Sequence, residues 1–381
     1  MRGRVDRQQA MFVAFDIEQF VPEDEPLRAI KRWADGLLTQ MSRDFDRAYS
    51  TTGRPGVPPE RMLKALLLQA LLLQALYSIP SETKLVAAIQ YNLLYRWFLD
   101  LPLEEHAWTQ EAFSMNRQRF ELHDLCRKFF DRVVAEGIGR GLISPDHFTA
   151  DGTLIRSLAS QKSLTPIAHD TTDDEHPSDE APGGRDVLTD FRGQQRTNAT
   201  HRSRTDPEAR LARKGFGKEA HLCHSGHVLM ENRSGLCLAV TVDAADGRAE
   251  RHNALRMLRH VARRHKLRPR TLGVDAGYRA GEFLLAVESH GSVPHVPMGS
   301  APIRGDTPES QARRRAQRRM KTAGYRVSQR VRKRVEQIIG WAKTTAGLAR
   351  TRLVGHVRIE NAALMAGAAY NLLRMTRLPA T

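Results

Sequence analysis

Cysteine is scarce: Cys126, Cys223 and Cys237 are the only three, far apart and odd in number, which argues against a disulfide framework and fits a reducing cytoplasm. Long apolar runs are missing too. The most apolar stretch, residues 62–77, is shorter than the ~20 residues of a membrane span and is interrupted by Lys64, Gln69 and Gln74, so it reads as a buried helix and no membrane partner is expected. Residues 1–9 are basic but carry neither the apolar core nor the cleavage site of a secretory signal. Acidic residues are outnumbered 43 to 59 by lysine and arginine, and the net charge of +16 favours a polyanionic partner. The imbalance is local as well: residues 313–334 hold eleven basic side chains and no acidic one, whereas residues 170–186 form an acidic stretch.

What is present divides the chain in two. Over residues 26–41, 59–77, 81–89 and 109–136, apolar positions recur at three-to-four spacing, which predicts helices. Pro59-Glu60 and Pro80-Ser81-Glu82 supply start signals, and residues 53–58 read as a loop. A tandem copy of Leu-Leu-Leu-Gln-Ala, residues 66–70 and 71–75, lies in the second helix. Five extra helical residues turn the following face by about 140°, so the duplication is expected to repack the bundle.

From residue 147 the grammar changes. Residues 147–155 alternate as a strand does, with Thr149, Asp151 and Thr153 on one face. Residues 160–214 are polar and aperiodic and read as a long mobile insertion. Strands at 220–231 and 235–242, joined by a hairpin turn at Asn232-Arg233-Ser234, precede a helix at 249–265. A strand at 270–275, a helix at 281–290 and a strand at 293–297 follow, with closing helices at 327–344 and 361–374. The expected fold class is therefore α+β: an all-α domain over residues 1–140, then a ribonuclease H-like domain over 141–381 with a mixed sheet flanked by helices.

Cleaving a phosphodiester at neutral pH needs an activated oxygen nucleophile and a means of spreading negative charge, which two metal ions ~3.5–4 Å apart supply together. Magnesium and manganese favour hard oxygen ligands, so carboxylates at the ends of strands and on a nearby helix are the residues to seek. Asp151 lies on the first strand, Asp275 ends the strand 270–275 before Ala276-Gly277-Tyr278, and Glu336 lies on the helix 327–344. On a continuous helix Arg332, Glu336 and Lys343 share one face, beside an apolar stripe of Val331, Val335, Ile338 and Ala342. Arg332, Lys343, Arg330 and Lys333 are the expected phosphate contacts.

Other readings compete. A lone aspartate is more often a turn or surface residue, and Glu336 alone would pair with Arg332 at helical spacing. His221, Cys223, His224 and His227 resemble zinc ligands on paper, but strand alternation splits them between faces. Tyr95, Trp97 and Phe98 read as helix core rather than a base-stacking platform.

The chain resembles the DDE transposases of bacterial insertion sequences, in particular the group numbered five. The likeness rests on Phe148-Thr149-Ala150-Asp151-Gly152-Thr153-Leu154-Ile155, Gly217-Lys218-Glu219-Ala220 with Gly226-His227 and Met230-Glu231-Asn232, Val274-Asp275-Ala276-Gly277-Tyr278, and the segment from Ser328-Gln329-Arg330 to Lys343-Thr344. Gly53-Arg54-Pro55, Tyr91 to Phe98 and Phe113-Ser114-Met115-Asn116-Arg117 extend it through the helical half. The resemblance implies that Asp151, Asp275 and Glu336 are a catalytic triad holding two Mg2+ or Mn2+ ions, with Arg332 and Lys343 accompanying the glutamate. It implies cleavage of double-stranded DNA at the element's terminal inverted repeats and strand transfer into target DNA by a homo-oligomer. Gln329 stands where the family usually has a tyrosine, so that tyrosine's role does not carry over. The rival readings are a catalytically silent DNA-binding relative and a ribonuclease H-like nuclease without strand transfer.

Overall fold

The structure is a computed structural model that describes residues 16–53, 56–72, 82–167, 189–191, 194–215, 218–247 and 249–379. The described residues begin with α1 (Ile17–Phe20), α2 (Pro26–Thr39), α3 (Ser42–Ala48), α4 (Pro59–Leu72), α5 (Glu82–Tyr91), α6 (Leu93–Phe98), α7 (Gln110–Leu122) and α8 (Leu125–Gly139). Local chemistry sets these boundaries. In α2, Pro26 stands in the first turn, where no amide donor is needed, and the Glu25 side chain accepts from Leu27 N. Its stripe of Leu27, Ile30, Ala34, Leu37 and Leu38 is buried. Asn92 and Thr109 cap α6 and α7 by accepting from the amides of Tyr95 and Ala112.

The single helix expected over 109–136 is two. Asp124 adopts a left-handed backbone with φ 52°, which ends α7 and starts α8 in a new direction. Lys64, which interrupts the apolar run, is buried and held by Asp35 at 2.6 Å and by Asp100. Tyr95, Trp97 and Phe98 are buried core residues. The second Leu-Leu-Leu-Gln-Ala copy extends beyond residue 72, so its effect on packing lies outside the described residues, as do the acidic stretch 170–186 and the Pro80-Ser81 start signal.

The second half contains β1 (His147–Ser157), β2 (Leu164–Pro166), β3 (Thr189–Phe191), β4 (Gln194–Arg196), β5 (His201–Ser203), β6 (Arg210–Ala212), β7 (His221–Glu231) and β8 (Cys237–Ala244). After these come α9 (Ala249–His265), β9 (Thr271–Gly273), α10 (Gly281–Ser289), β10 (Val293–His295), α11 (Pro308–Arg319), α12 (Ala323–Val331), α13 (Val335–Thr344), β11 (Arg350–Thr351) and α14 (His356–Met375). In the main sheet β10, β9, β1 and β7 are neighbours in that order, with β8 and β6 on the far edge of β7 and β11 on the end of β1. Strands β9 and β10 run parallel to β1, and β7 runs antiparallel. This is an α+β fold with a ribonuclease H-like mixed sheet.

The described residues of 160–214 carry short paired strands rather than the aperiodic insertion that composition predicts, and the rest of that stretch lies outside the described residues. Among those described, β2 pairs with β5, β3 pairs with β4, and β6 joins the main sheet through β7. Leu164, Ala209, Leu211, Ala220 and Leu222 form a small core of their own. Three-residue strands are too short to show a period, and their stability comes from side chains such as Asn198, which bonds both the amide and the carbonyl of Leu211. A single apolar core runs from α2, α4 and α8 into β7, β8 and α14, so the helical half packs directly on the sheet.

Candidate active site

Parallel pairing places the first two carboxylates. Thr149 of β1 is in register with Gly273 of β9, so two residues further along each strand Asp151 and Asp275 come level at the end of β9. Asp151 accepts from the amide of Gly152 at 2.9 Å. Asp275 leaves the strand to cap the turn Ala276–Tyr278, its Oδ1 accepting from Gly277 N at 2.7 Å. Burial pushes the Asp151 carboxyl upward from its ordinary pKa, and the charges of Asp275 and Glu336 push the same way; the Gly152 amide and Arg332 oppose them. Tyr278 is buried below them, and its hydroxyl is pushed well above its usual pKa by burial first and then by Glu250, Asp151 and Asp275.

Glu336 arrives differently from the continuous helix expected over 327–344. The helix breaks into α12, a 3-10 turn over Arg332–Arg334, and α13. The Val335 amide turns to the carbonyl of Arg332 instead of Val331. The freed Val331 carbonyl accepts from Asn232 Nδ2 at 3.0 Å, while Asn232 Oδ1 accepts from the Thr149 hydroxyl at 2.8 Å. One buried asparagine in the β7–β8 turn thus ties the first strand to the segment carrying Arg332 and Glu336. Sequence reading placed Asn232 in a motif without seeing this task, because its two partners lie far away in the chain.

Val335 and Ile338 are buried, and Glu336 between them is exposed. Arg332 is half-buried beside Asp151, with its Nε buried and unpartnered. Lys343 sits two turns further along α13, next to Lys214 and Cys223, and helps line an apolar cavity of about 40 Å³ with Thr153, Ile155 and Ile338. Burial, then Lys214, pushes its pKa down. Since Arg332 lies in the 3-10 turn, Arg332, Glu336 and Lys343 do not share a face of one continuous α-helix. Arg330 and Lys333 are exposed. Gln329, at the tyrosine position, donates to the carbonyl of His295 at 3.0 Å. Within the basic run, Arg314 pairs with Asp306, and Arg315 and Arg319 pair with Glu288; Arg313 and Arg326 remain exposed.

The oxygens of Asp151, Asp275 and Glu336 do not gather within 4.8 Å of one another. Among the described residues the group that does is Asp131, His260 and His265, between α8 and α9. There Asp131 accepts from His260 at 2.9 Å and faces Arg264 at 3.3 Å, which makes it the centre of an ion-pair network. His224 bonds Asp206 at 2.9 Å, and His227 lies across from Gly152 on β7 with neither ring nitrogen partnered. The donor set around Asp151 is of the kind a divalent cation takes: Asp275 comes level with it by register, the charges of Asp275 and Glu336 act against it, and Arg332 opposes them.

The chain matches two family models, one described as Transposase domain (DUF772) over residues 15–119 and one described as Transposase DDE domain over residues 167–372. The second includes Asp275 and Glu336, while Asp151 precedes its start. No curated protein and no solved structure matches the chain significantly. With more than half of its length in the second match, the chain belongs to the transposase DDE domain family and is a DNA transposase of insertion-sequence type.

Proposed function

We propose that this transposase cleaves double-stranded DNA at the terminal inverted repeats of its element and joins the exposed 3′ hydroxyls to target DNA in the same site. What supports this reading is the match to the transposase DDE model over residues 167–372, with the parallel register that brings Asp151 level with Asp275 and the charge of Glu336 acting on Asp151. Two Mg2+ or Mn2+ ions bound there would activate the attacking oxygen and offset charge on the transferring phosphoryl group. Asp151 and Asp275 would hold them from the sheet and Glu336 from α13. Arg332, with its buried unpartnered Nε, is placed to bind a phosphate beside the cut, and Arg330 and Lys333 to bind the flanking backbone. Lys343 takes this role only where DNA runs along α13 toward Lys214.

The helical half, residues 1–140, would recognise element ends and assemble the homo-oligomer, with catalysis in residues 141–381. The outer face of α9 adds a basic groove of about 620 Å³ formed by Arg256, Arg259, Arg263 and their neighbours, suited to duplex DNA. Among the described residues no helix is long and apolar enough to cross a membrane. The protein would act in the cytoplasm on nucleoid DNA.

The test uses labelled element-end DNA with Mn2+. D151N, D275N and E336Q should each abolish cleavage and leave a gel shift of the same DNA intact; cleavage retained by any one removes that residue from the triad. Wild-type protein should yield joined products, and cutting without joining would make the protein a nuclease.

A further inference from the structure

Away from the three carboxylates, α8 and α9 bring a different donor set together. Asp131 on α8 is buried, with its side chain 6% exposed. Its Oδ1 faces His260 Nε2 at 2.9 Å and His265 Nε2 at 3.7 Å, and the donor atoms of the three residues lie within 4.8 Å of one another. The two histidines reach this point from different sides of α9, because five residues turn an ideal helix through about 140°. His265 is the last residue of α9, and Lys266 beyond it takes a left-handed backbone with φ 54°. The other carboxylate oxygen, Oδ2, faces Arg264 Nε at 3.3 Å.

Pairing Asp131 with a histidine needs one imidazole, and His260 supplies it. His265 is what such a pair leaves unexplained. Its side chain is 3% exposed and its Nε2 makes no hydrogen bond, although it is held beside an oxygen that His260 already occupies. A buried ring nitrogen without a partner costs stability, whereas two imidazole nitrogens and one carboxylate oxygen are the donors of a three-ligand zinc site. We propose that Asp131, His260 and His265 bind one transition-metal ion of the zinc class, which ties α8 of the helical half to α9 on the sheet. Each ring would offer its Nε2 lone pair, and Asp131 would bind through Oδ1 while Arg264 holds Oδ2 and fixes the carboxylate's orientation. His260 is 28% exposed and opens on the basic groove of α9, from which water would complete four-coordination. Imidazole donors favour zinc over magnesium, so this site would take a different ion from the one expected at Asp151.

Zn2+ titrated into the full-length chain, first stripped of metal by a chelator, tests this by calorimetry, with the absorption of bound Co2+ reporting tetrahedral coordination. Wild type should show a Zn2+ site that persists in D275N, and Zn2+ should raise the melting temperature of both. H260A and H265N should each weaken that binding by about tenfold or more and lose the thermal shift. H260A, at the exposed edge of the cluster, carries the test if H265N does not fold. Zn2+ binding that is absent from wild type, that is lost in D275N, or that stays within about twofold of wild type in H260A and H265N would overturn the site and leave Asp131 as an ion-pair partner.

Discussion

Removing the Asn232 amide should both destabilise the fold and turn Glu336 away from its partners. Asn232 is 3% exposed and holds two groups: the fully buried Thr149 hydroxyl at 2.8 Å and the Val331 carbonyl at 3.0 Å. In N232A the fates of these two differ. The Val331 carbonyl can recover a partner by accepting from the Val335 amide, which closes the 3-10 turn into a continuous α-helix. The Thr149 hydroxyl is fully buried and is left stranded. A stranded buried hydroxyl together with the lost bonds costs about 2 kcal/mol, to be read from urea unfolding curves. Closing three residues from 3-10 to α geometry changes the twist by about 20° each, so Glu336 would rotate by about 60° relative to Arg332. Mn2+ affinity and cleavage should therefore fall together. N232D separates the two effects, because it still accepts from Thr149 but sets a carboxylate oxygen against the Val331 carbonyl oxygen. Its stability loss should be accompanied by the same metal defect. An N232A protein that unfolds within about 0.5 kcal/mol of wild type and keeps its Mn2+ dependence would refute the argument that this residue sets the helix break.

Three further outcomes are expected. Burial, with the charge of His295 second, pushes His147 from its ordinary value of 6.5 to about 4, so the folded state binds fewer protons than the unfolded chain between those values. Stability should be full above pH 6.5 and fall by up to about 3 kcal/mol as pH drops toward 4, and H147N should flatten that slope in denaturant titrations across the range. G281A should separate α10 from α11, because a Cβ there would lie 2.4 Å from Glu309 Cβ and 2.8 Å from its Cα; a loss of about 1–3 kcal/mol is expected, and an unchanged melting curve would contradict this packing. R330A and K333A should each reduce the slope of log binding constant against log salt by about 1 in gel-shift titrations. An unchanged slope would place these side chains off the DNA path.

Part of the candidate site's setting was legible in the sequence. Asp151 stands in a strand and Asp275 just past the end of one, where alternation and turn residues are local signals, and α9 begins and ends where the periodicity predicts. Glu336 was legible as a residue but not in its setting, because the break before α13 depends on an asparagine about a hundred residues upstream in sequence. The short strands of the insertion were invisible for a related reason, since their stability comes from pairing and side-chain bonds across the chain rather than from a period of their own.

The sequence by itself determined the family signature: an excess of basic charge suited to a polyanion, candidate carboxylates within family motifs, and the order of helices and strands that sorts the chain into two halves. Composition and periodicity are local properties, and these conclusions needed nothing more. Tertiary structure alone decided the setting of the candidate carboxylates: the parallel register that levels Asp151 with Asp275 and the Asn232 bridge at the helix break ahead of Glu336. Each of these depends on contacts between residues far apart in the chain, and such contacts exist only once the core has closed.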